Sequence, residues 1–276
     1  MMESIKLKRM SQEEFKKFIE AAPEDSYVLI DVREPEEYEE EHLPGATLIP
    51  LKEIETGIME LDLNKDFIFY CLSGKRSEIA ANLIADLQIV SGKIYYLKGG
   101  ILYWEGRVLD EYPRINVFDF SKDIISILKK AMDLEKGAER FYRRCSSILK
   151  DTTVTKIMSS LARFEVSHAR FIFSLIKKFQ KDLPAFETLY DSLDGNILEG
   201  GMSLEDAIEK VSNLSDNLCL SINEMALEIE FRAYDLYRNL AIREKDPEII
   251  RVMYMLAEQE KLHVKLIANM LSKCVA

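Results

Sequence analysis

The chain has 276 residues, 47% of them apolar and 31% charged, which is long enough for two ordinary domains with a core each. Its net charge of −11 argues against nucleic acid or an anionic membrane surface as the main partner. No run of about 18 apolar residues is present, and the opening MMESIKLKRM lacks the apolar core of a signal peptide, so a cytoplasmic protein with reduced thiols is expected. The four cysteines, Cys71, Cys145, Cys219 and Cys274, form no C-x-x-C pair, which excludes a four-cysteine zinc or iron centre and a dense disulfide framework.

Up to about residue 112, strand-like runs alternate with helices. YVLIDVR (27–33), ATLIP (46–50), DFIFYC (66–71) and KIYYL (93–97) read as strands. SQEEFKKFIE, opened by a capping box from Ser11 to Glu14, EPEEYEEEH, and the segment after Cys71 read as helices. This alternation predicts a mostly parallel sheet covered on both faces, with sites at the carboxyl ends of its strands. Cys71 stands at such an end. It opens the loop Leu72, Ser73, Gly74, Lys75 and Arg76, and Ser77 is placed to cap the following helix. A helix N-terminus and two cations suit an anion and favour the thiolate.

From about Phe118 the pattern becomes long amphipathic helix. Four helices are expected at about 121–149, 152–181, 215–243 and 247–272, with a short helix after a second capping box, Ser203 to Asp206. Two hairpins joined by one long crossover give a ferritin-like four-helix bundle. The hairpins repeat at a shift of 95 residues, visible as LARFEVSH (161–168) against LAEQEKLH (256–263). Glu135 then matches Glu230, Glu165 matches Glu260, and His168 matches His263. Each Glu-x-x-His pair shares one helix face, and each remaining Glu sits in an apolar stripe facing the core. Six core-facing ionisable groups need neutralising, and two iron or manganese ions in a carboxylate-bridged site would do so. Tyr142 and Tyr237, two turns past Glu135 and Glu230, are candidates either for hydrogen-bonding a metal-bound carboxylate or for plain core packing.

Both parts resemble known families. Residues 1–111 resemble a single rhodanese domain through IDVREPEEYEEEHLPGATLIP (30–50), CLSGKRS (71–77) and LKGGILYWEG (97–106). The resemblance implies an α/β sulfurtransferase whose Cys71 carries a persulfide cradled by residues 72–77, with Asp31 and Arg33 in the framework. The loop is C-x4-R, one residue shorter than the C-x5-R of related phosphatases. His42 falls in EHLPGA, where Glu41 replaces the family's usual Gly. Residues 112–120 are the expected linker. Residues 121–276 resemble the all-α, ferritin-like rubrerythrin-type proteins through LEKGAERFY and the two E-x-x-H motifs. That family implies a two-metal site on Glu135, Glu165, His168, Glu230, Glu260 and His263. Its C-terminal rubredoxin is missing here, and the extra carboxylate one turn past the third-helix glutamate is replaced by Ala233.

The expected function is therefore sulfane-sulfur transfer through Cys71, from thiosulfate or a polysulfide to a thiol or a protein acceptor, with ping-pong kinetics. The two-metal half is expected to reduce peroxide or dioxygen, or to change the oxidation state of sulfur on Cys71, with an external electron donor. A homodimer is compatible with this bundle type. The alternative is a binding protein in which the bundle scavenges oxidant, or stores or senses iron, and the rhodanese part is an accessory.

Overall fold

The computed structural model describes residues 7–119, 122–148, 152–212 and 218–271. The last residue of the expected linker, the helix break at Asp151, and Cys274 lie outside the described residues. Two compact units are formed, one of Met1–Pro113 with Tyr234–Glu258 and the other of Arg114–Ala233 with Gln259–Ala276. The first unit takes in the end of one late helix and the start of the next.

The first unit holds a five-stranded parallel sheet. Its strands are β1 (Leu7–Met10), β2 (Tyr27–Asp31), β3 (Thr47–Leu48), β4 (Asp66–Tyr70) and β5 (Ile94–Leu97), in the order β1-β5-β4-β2-β3. β4 is central and runs in register with β2 from Tyr27↔Asp66 to Asp31↔Tyr70. All five residues of β2 are buried, as both-face coverage of a parallel sheet requires. Side chains alternate across the sheet: Val28, Ile30, Phe67 and Phe69 pack on one face with Ala80 and Ile84. Leu29, Ile68 and Tyr70 pack on the other with Phe15, Tyr38 and Leu43. Helices α1 (Gln12–Ala21), α2 (Pro35–Glu40), α3 (Ile54–Gly57) and α4 (Lys75–Leu87) cover these faces. The capping box predicted for α1 is present, with Ser11 Oγ accepting from Glu14 N and Glu14 Oε2 accepting from Ser11 N. The edge strand β1 is not foreseen from sequence. Its four residues LKRM carry two cations and only one buried side chain, so no periodicity betrays it.

The later helices are α5 (Ile124–Ile148), α6 (Thr152–Phe179), α7 (Phe186–Asp191), α8 (Leu204–Ser212), α9 (Leu218–Arg243) and α10 (Pro247–Leu271). In the second unit, α5 and α6 pack with the first part of α9 and the last part of α10 around a core that includes Ala138, Phe141, Met158, Leu161, Ile222, Ala226 and Ile267. The short helix predicted after Ser203 is α8, with Ser203 Oγ accepting from Asp206 N at 3.1 Å. Lys136 of α5 anchors the crossover by donating to the carbonyls of Tyr190, Asp191 and Leu193. No described helix is long and apolar enough to cross a membrane.

Candidate functional site

Cys71 follows the last residue of β4, and Leu72, Ser73 and Gly74 turn the chain into α4. Gly74 has φ +93, and a Cβ there would stand 3.0 Å from Gly99 N and 3.1 Å from Leu97 O. This left-handed residue starts α4 at Lys75, earlier than a cap at Ser77 would. Ser77 is therefore not the cap: it lies in the first turn, with its Oγ donating to Gly74 O at 3.1 Å. The early start turns the first N–H groups inward. Gly74 N donates to Cys71 Sγ at 3.1 Å and Ser77 N at 3.4 Å. Donors at a helix N-terminus favour negative charge on sulfur, whether thiolate or the outer atom of a persulfide.

The opposite wall is a 3-10 turn, Ile101–Tyr103. Ile101 N donates to Cys71 O and Leu102 N to Leu72 O, at 2.9 and 3.1 Å. Gly100 allows this approach, because a Cβ on it would stand 2.1 Å from Cys71 O. Cys71 itself is buried, while Leu72, Ser73 and Lys75 around it are exposed.

Arg76 does not face open solvent alone. Its two terminal nitrogens donate to the two oxygens of Glu37 at 2.6 and 2.7 Å, a bidentate pair that sequence reasoning missed. The hydrogen bonds from Arg76 hold the Glu37 carboxyl below the ordinary carboxylate range. Asp31 and Arg33 form a buried pair, Arg33 Nη2 to Asp31 Oδ2 at 2.8 Å, consistent with a framework role. Burial pushes the Cys145 thiol up to about 12, so it stays neutral. Cys219 is disulfide-bonded, which the sequence does not foretell.

The second unit brings together all six predicted metal-site residues. Glu135, Glu165, Glu230 and Glu260 are wholly buried, and His168 and His263 nearly so. Ligand atoms from Glu165, His168 and His263 lie within 4.8 Å of one another, as do those from Glu135, His168 and Glu260, and from Glu230, Glu260 and His263. The repeat is obeyed in space: His168 Nδ1 faces Glu135 at 3.1 Å, and His263 Nδ1 faces Glu230 at 3.1 Å. Each histidine also has Glu260 at 3.7 Å, and the two rings lie 4.2 Å apart. Burial alone would raise the Glu230 carboxyl, but the charge and hydrogen bond of His263, with help from Glu260 and His168, hold it below its ordinary value. Four carboxylates and two imidazoles converging inside a helical core fit two divalent or trivalent ions, because ions supply the positive charge that burial otherwise lacks.

Tyr142 donates to Glu230 Oε1 at 3.2 Å, so it touches the cluster and does more than fill the core. Tyr237 is fully buried and belongs to the stretch grouped with the first unit. Two further groups near the cluster escaped the sequence reading. Glu139, one turn past Glu135, is 7% exposed. Tyr190, from the crossover, has its ionisation pushed far up by burial and then by the charges of Glu139, Glu135 and Glu165.

Comparison with known proteins gives both parts their relatives. The rubrerythrin family model matches residues 126–271, more than half of the chain. The chain belongs to the rubrerythrin family. This member also carries a rhodanese-like domain, matched over residues 11–107. Over that part, YrkF of Bacillus subtilis (strain 168) is 37% identical across 98 residues, which are 36% of this chain and 51% of YrkF. The chain thus spans about half the length of that relative. A sulfurtransferase from Allochromatium vinosum is 31% identical over 83 residues, 30% of this chain and 76% of that one. The crystal structure of a rhodanese-related protein from Thermoplasma volcanium is 24% identical, with a TM-score of 0.33, covering 38% of this chain and 99% of that one. The rubrerythrin-family chain therefore joins a sulfurtransferase-type module to a helical domain of the kind that holds two irons.

Proposed function

We propose that the protein is a sulfane-sulfur transferase that forms a persulfide on Cys71, and that its helical part holds two irons as a redox centre serving the same chain. The observation that carries the first half is the pair of N–H donors aimed at Cys71 Sγ from the start of α4. With thiosulfate or a polysulfide as donor, the Cys71 thiolate attacks the outer sulfur. With thiosulfate, the S–S bond breaks, sulfite leaves with the electron pair, and the outer sulfur stays on Cys71. The N–H groups of Gly74 and Ser77 stabilise the charge wherever it resides on the two sulfurs, and they need no rearrangement to do so. A thiol, small or on a protein, then attacks the outer sulfur and regenerates the thiolate.

In the helical part, Glu135, Glu165, His168, Glu230, Glu260 and His263 would hold the ions, and Tyr142 orients Glu230. Iron, when bound there, supplies electron-transfer chemistry toward peroxide, dioxygen or sulfur, given an external electron donor. A second reading keeps the bundle as an oxidant-scavenging or iron-sensing device, with the sulfurtransferase module as an accessory.

Intact-mass measurement after incubation with thiosulfate or a polysulfide tests the first reading. Wild type should gain one sulfur, and Cys71→Ser none, with metal content equal in both. Normal sulfur release by the Ser variant would overturn the assignment. Sulfur release by wild type with no effect on bundle redox state would favour the second reading.

A further inference from the structure

On α5 a line of three side chains climbs from the carboxylate cluster to the surface. Glu135, Glu139 and Arg143 stand at i, i+4 and i+8, each step about 6 Å further along the helix axis. Glu135 is wholly buried, the Glu139 side chain is 10% exposed, and that of Arg143 is 66% exposed. Arg143 Nε reaches back to donate to Glu139 Oε1, the one side-chain hydrogen bond that this carboxylate accepts among the described residues. An ordinary i, i+4 pair leaves both partners solvated, whereas here the acid is buried and only the base is wet. A second side chain converges on the same place from the crossover. Tyr190 on α7 is 8% exposed, and its hydroxyl has no hydrogen-bond partner among the described residues. Its ring stacks on Phe186 at 5.1 Å, and its carbonyl accepts from Lys136 Nζ at 2.8 Å, so its place is fixed. After burial, the charges of Glu139, Glu135 and Glu165 act on this hydroxyl, which is therefore turned toward the same carboxylates. A buried phenol with nothing to bond is costly unless the place takes in a polar guest.

Two oxygens, one of them anionic, lie beside four wholly buried carboxylates. The guest that suits them is a divalent cation carrying part of its water. The phenol oxygen can accept from a water on the ion, and the Glu139 carboxylate can bind the ion or that water. We propose that Glu139 and Tyr190 form a transit site through which Fe2+ or Mn2+ enters and leaves the cluster, an inference that rests on the two-ion reading of the helical part. Arg143 guards the outer end. Its guanidinium takes the cation's place on Glu139 and, being mostly exposed, swings into water when an ion arrives. The ion then passes one turn back along α5 to Glu135 and Glu165. A transit site lowers the barrier equally in both directions, so it changes rates and leaves the affinity of the cluster alone.

For the test, metal-free full chain is mixed with Co2+ alone, a coloured ion that takes the same oxygen and nitrogen ligands. Stopped flow follows the growth of the cobalt absorption, and a separate mixing of loaded protein with excess EDTA follows release. Glu139→Gln should slow both by about tenfold, the low end of what focusing charge into a cleft contributes, with final cobalt content unchanged. Glu139→Asp keeps the charge and should recover most of the rate, and Tyr190→Phe should slow both by a smaller factor. Arg143→Ala removes the competing cation and should speed both rates a few-fold, which reads the same gate should Glu139→Gln fail to fold. Glu187→Gln removes an exposed carboxylate from the helix that carries Tyr190, and should leave both rates alone. Wild-type rates in Glu139→Gln would overturn the proposal, as would equal slowing by Glu187→Gln. Loss of bound cobalt in Glu139→Gln would also overturn it, by making Glu139 a permanent ligand. If wild type takes up no cobalt at all, the two-ion reading itself fails.

Discussion

Asp235, on the late part of α9, faces His42 Nε2 at 3.3 Å and accepts from Gly45 N at 2.7 Å. The histidine of the EHLPGA motif, which carries no assigned role in the sequence, is thus buried in a polar cluster. Its ring stacks on Tyr38 at 4.0 Å, and its Nδ1 faces Tyr38 O at 3.1 Å. Nearby, Arg238 covers the Tyr27 ring at 4.2 Å and pairs with Glu24, and Asn239 accepts from Thr47 Oγ1 at 3.0 Å. Asp235, Arg238 and Asn239 lie at i, i+3 and i+4, so one helical face supplies all three.

Replacing Asp235 by Ala leaves Gly45 N–H without its acceptor and His42 Nε2 without its partner in a buried place, while the Asn239 amide keeps Ala46 O and the backbone carbonyl of residue 235. A loss of about 2–3 kcal/mol in unfolding free energy is expected, since each abandoned buried group costs on that order. Asp235→Asn keeps an acceptor and should lose less. Urea unfolding of the full chain, followed by circular dichroism, measures both. Equal stability of the Ala variant and wild type would mean that this cluster is dispensable.

Gly100→Ala should damage sulfur transfer without touching the metal site. The added Cβ would collide with the carbonyls of Cys71 and Leu72, at a residue whose φ is +60. The loop must shift by the better part of an ångström, which displaces the donors around Sγ. A fall in kcat/KM of about 100-fold is expected for a misplacement of that size. Metal content, read by elemental analysis, should stay at the wild-type level.

The two histidines of the cluster should prove equivalent. His168 and His263 each face a glutamate 33 positions earlier in the chain, and each lies 3.7 Å from Glu260. His168→Ala and His263→Ala should therefore each cut metal occupancy to roughly half or less, and each should lower thermal stability of the loaded protein. One variant retaining its full complement would mean that the six residues do not form one shared site.

Tyr142→Phe removes only the hydroxyl that donates to Glu230. The ring is fully buried and stays as packing, so folding should change little. Metal affinity, measured by competition with a chelator, should drop about tenfold, the lower end for loss of a hydrogen bond to a ligand. Unchanged affinity would reduce Tyr142 to core filling.

What the sequence made legible divides by the range of the signal. DFIFY declares a buried strand by its content, Ser11 and Glu14 declare a cap, and the E-x-x-H pairs declare a shared face, because each relation spans a few residues. The 95-residue repeat extended that local reading to four helices at once, which is why all six cluster residues were found. The Arg76–Glu37 pair spans 39 positions and His42–Asp235 spans 193, and no spacing rule links them. Both are polar contacts fixed by tertiary placement alone. Tyr190 and Glu139 were missed for another reason: the repeat has no partner for them, so symmetry could not point to them.

The first unit closes only when Tyr234–Glu258 joins residues 1–113. Translation sets a waiting time on that event. At about 5–20 residues per second, the 120-odd residues between Pro113 and Tyr234 take roughly 6–24 s to synthesise. Throughout that interval Glu24, Gly45 and Thr47 have been made while the helix that will bury them has not. A nascent sheet in this condition presents a half-finished polar socket to holdases and proteases, and any truncation upstream of Tyr234 would leave it so permanently.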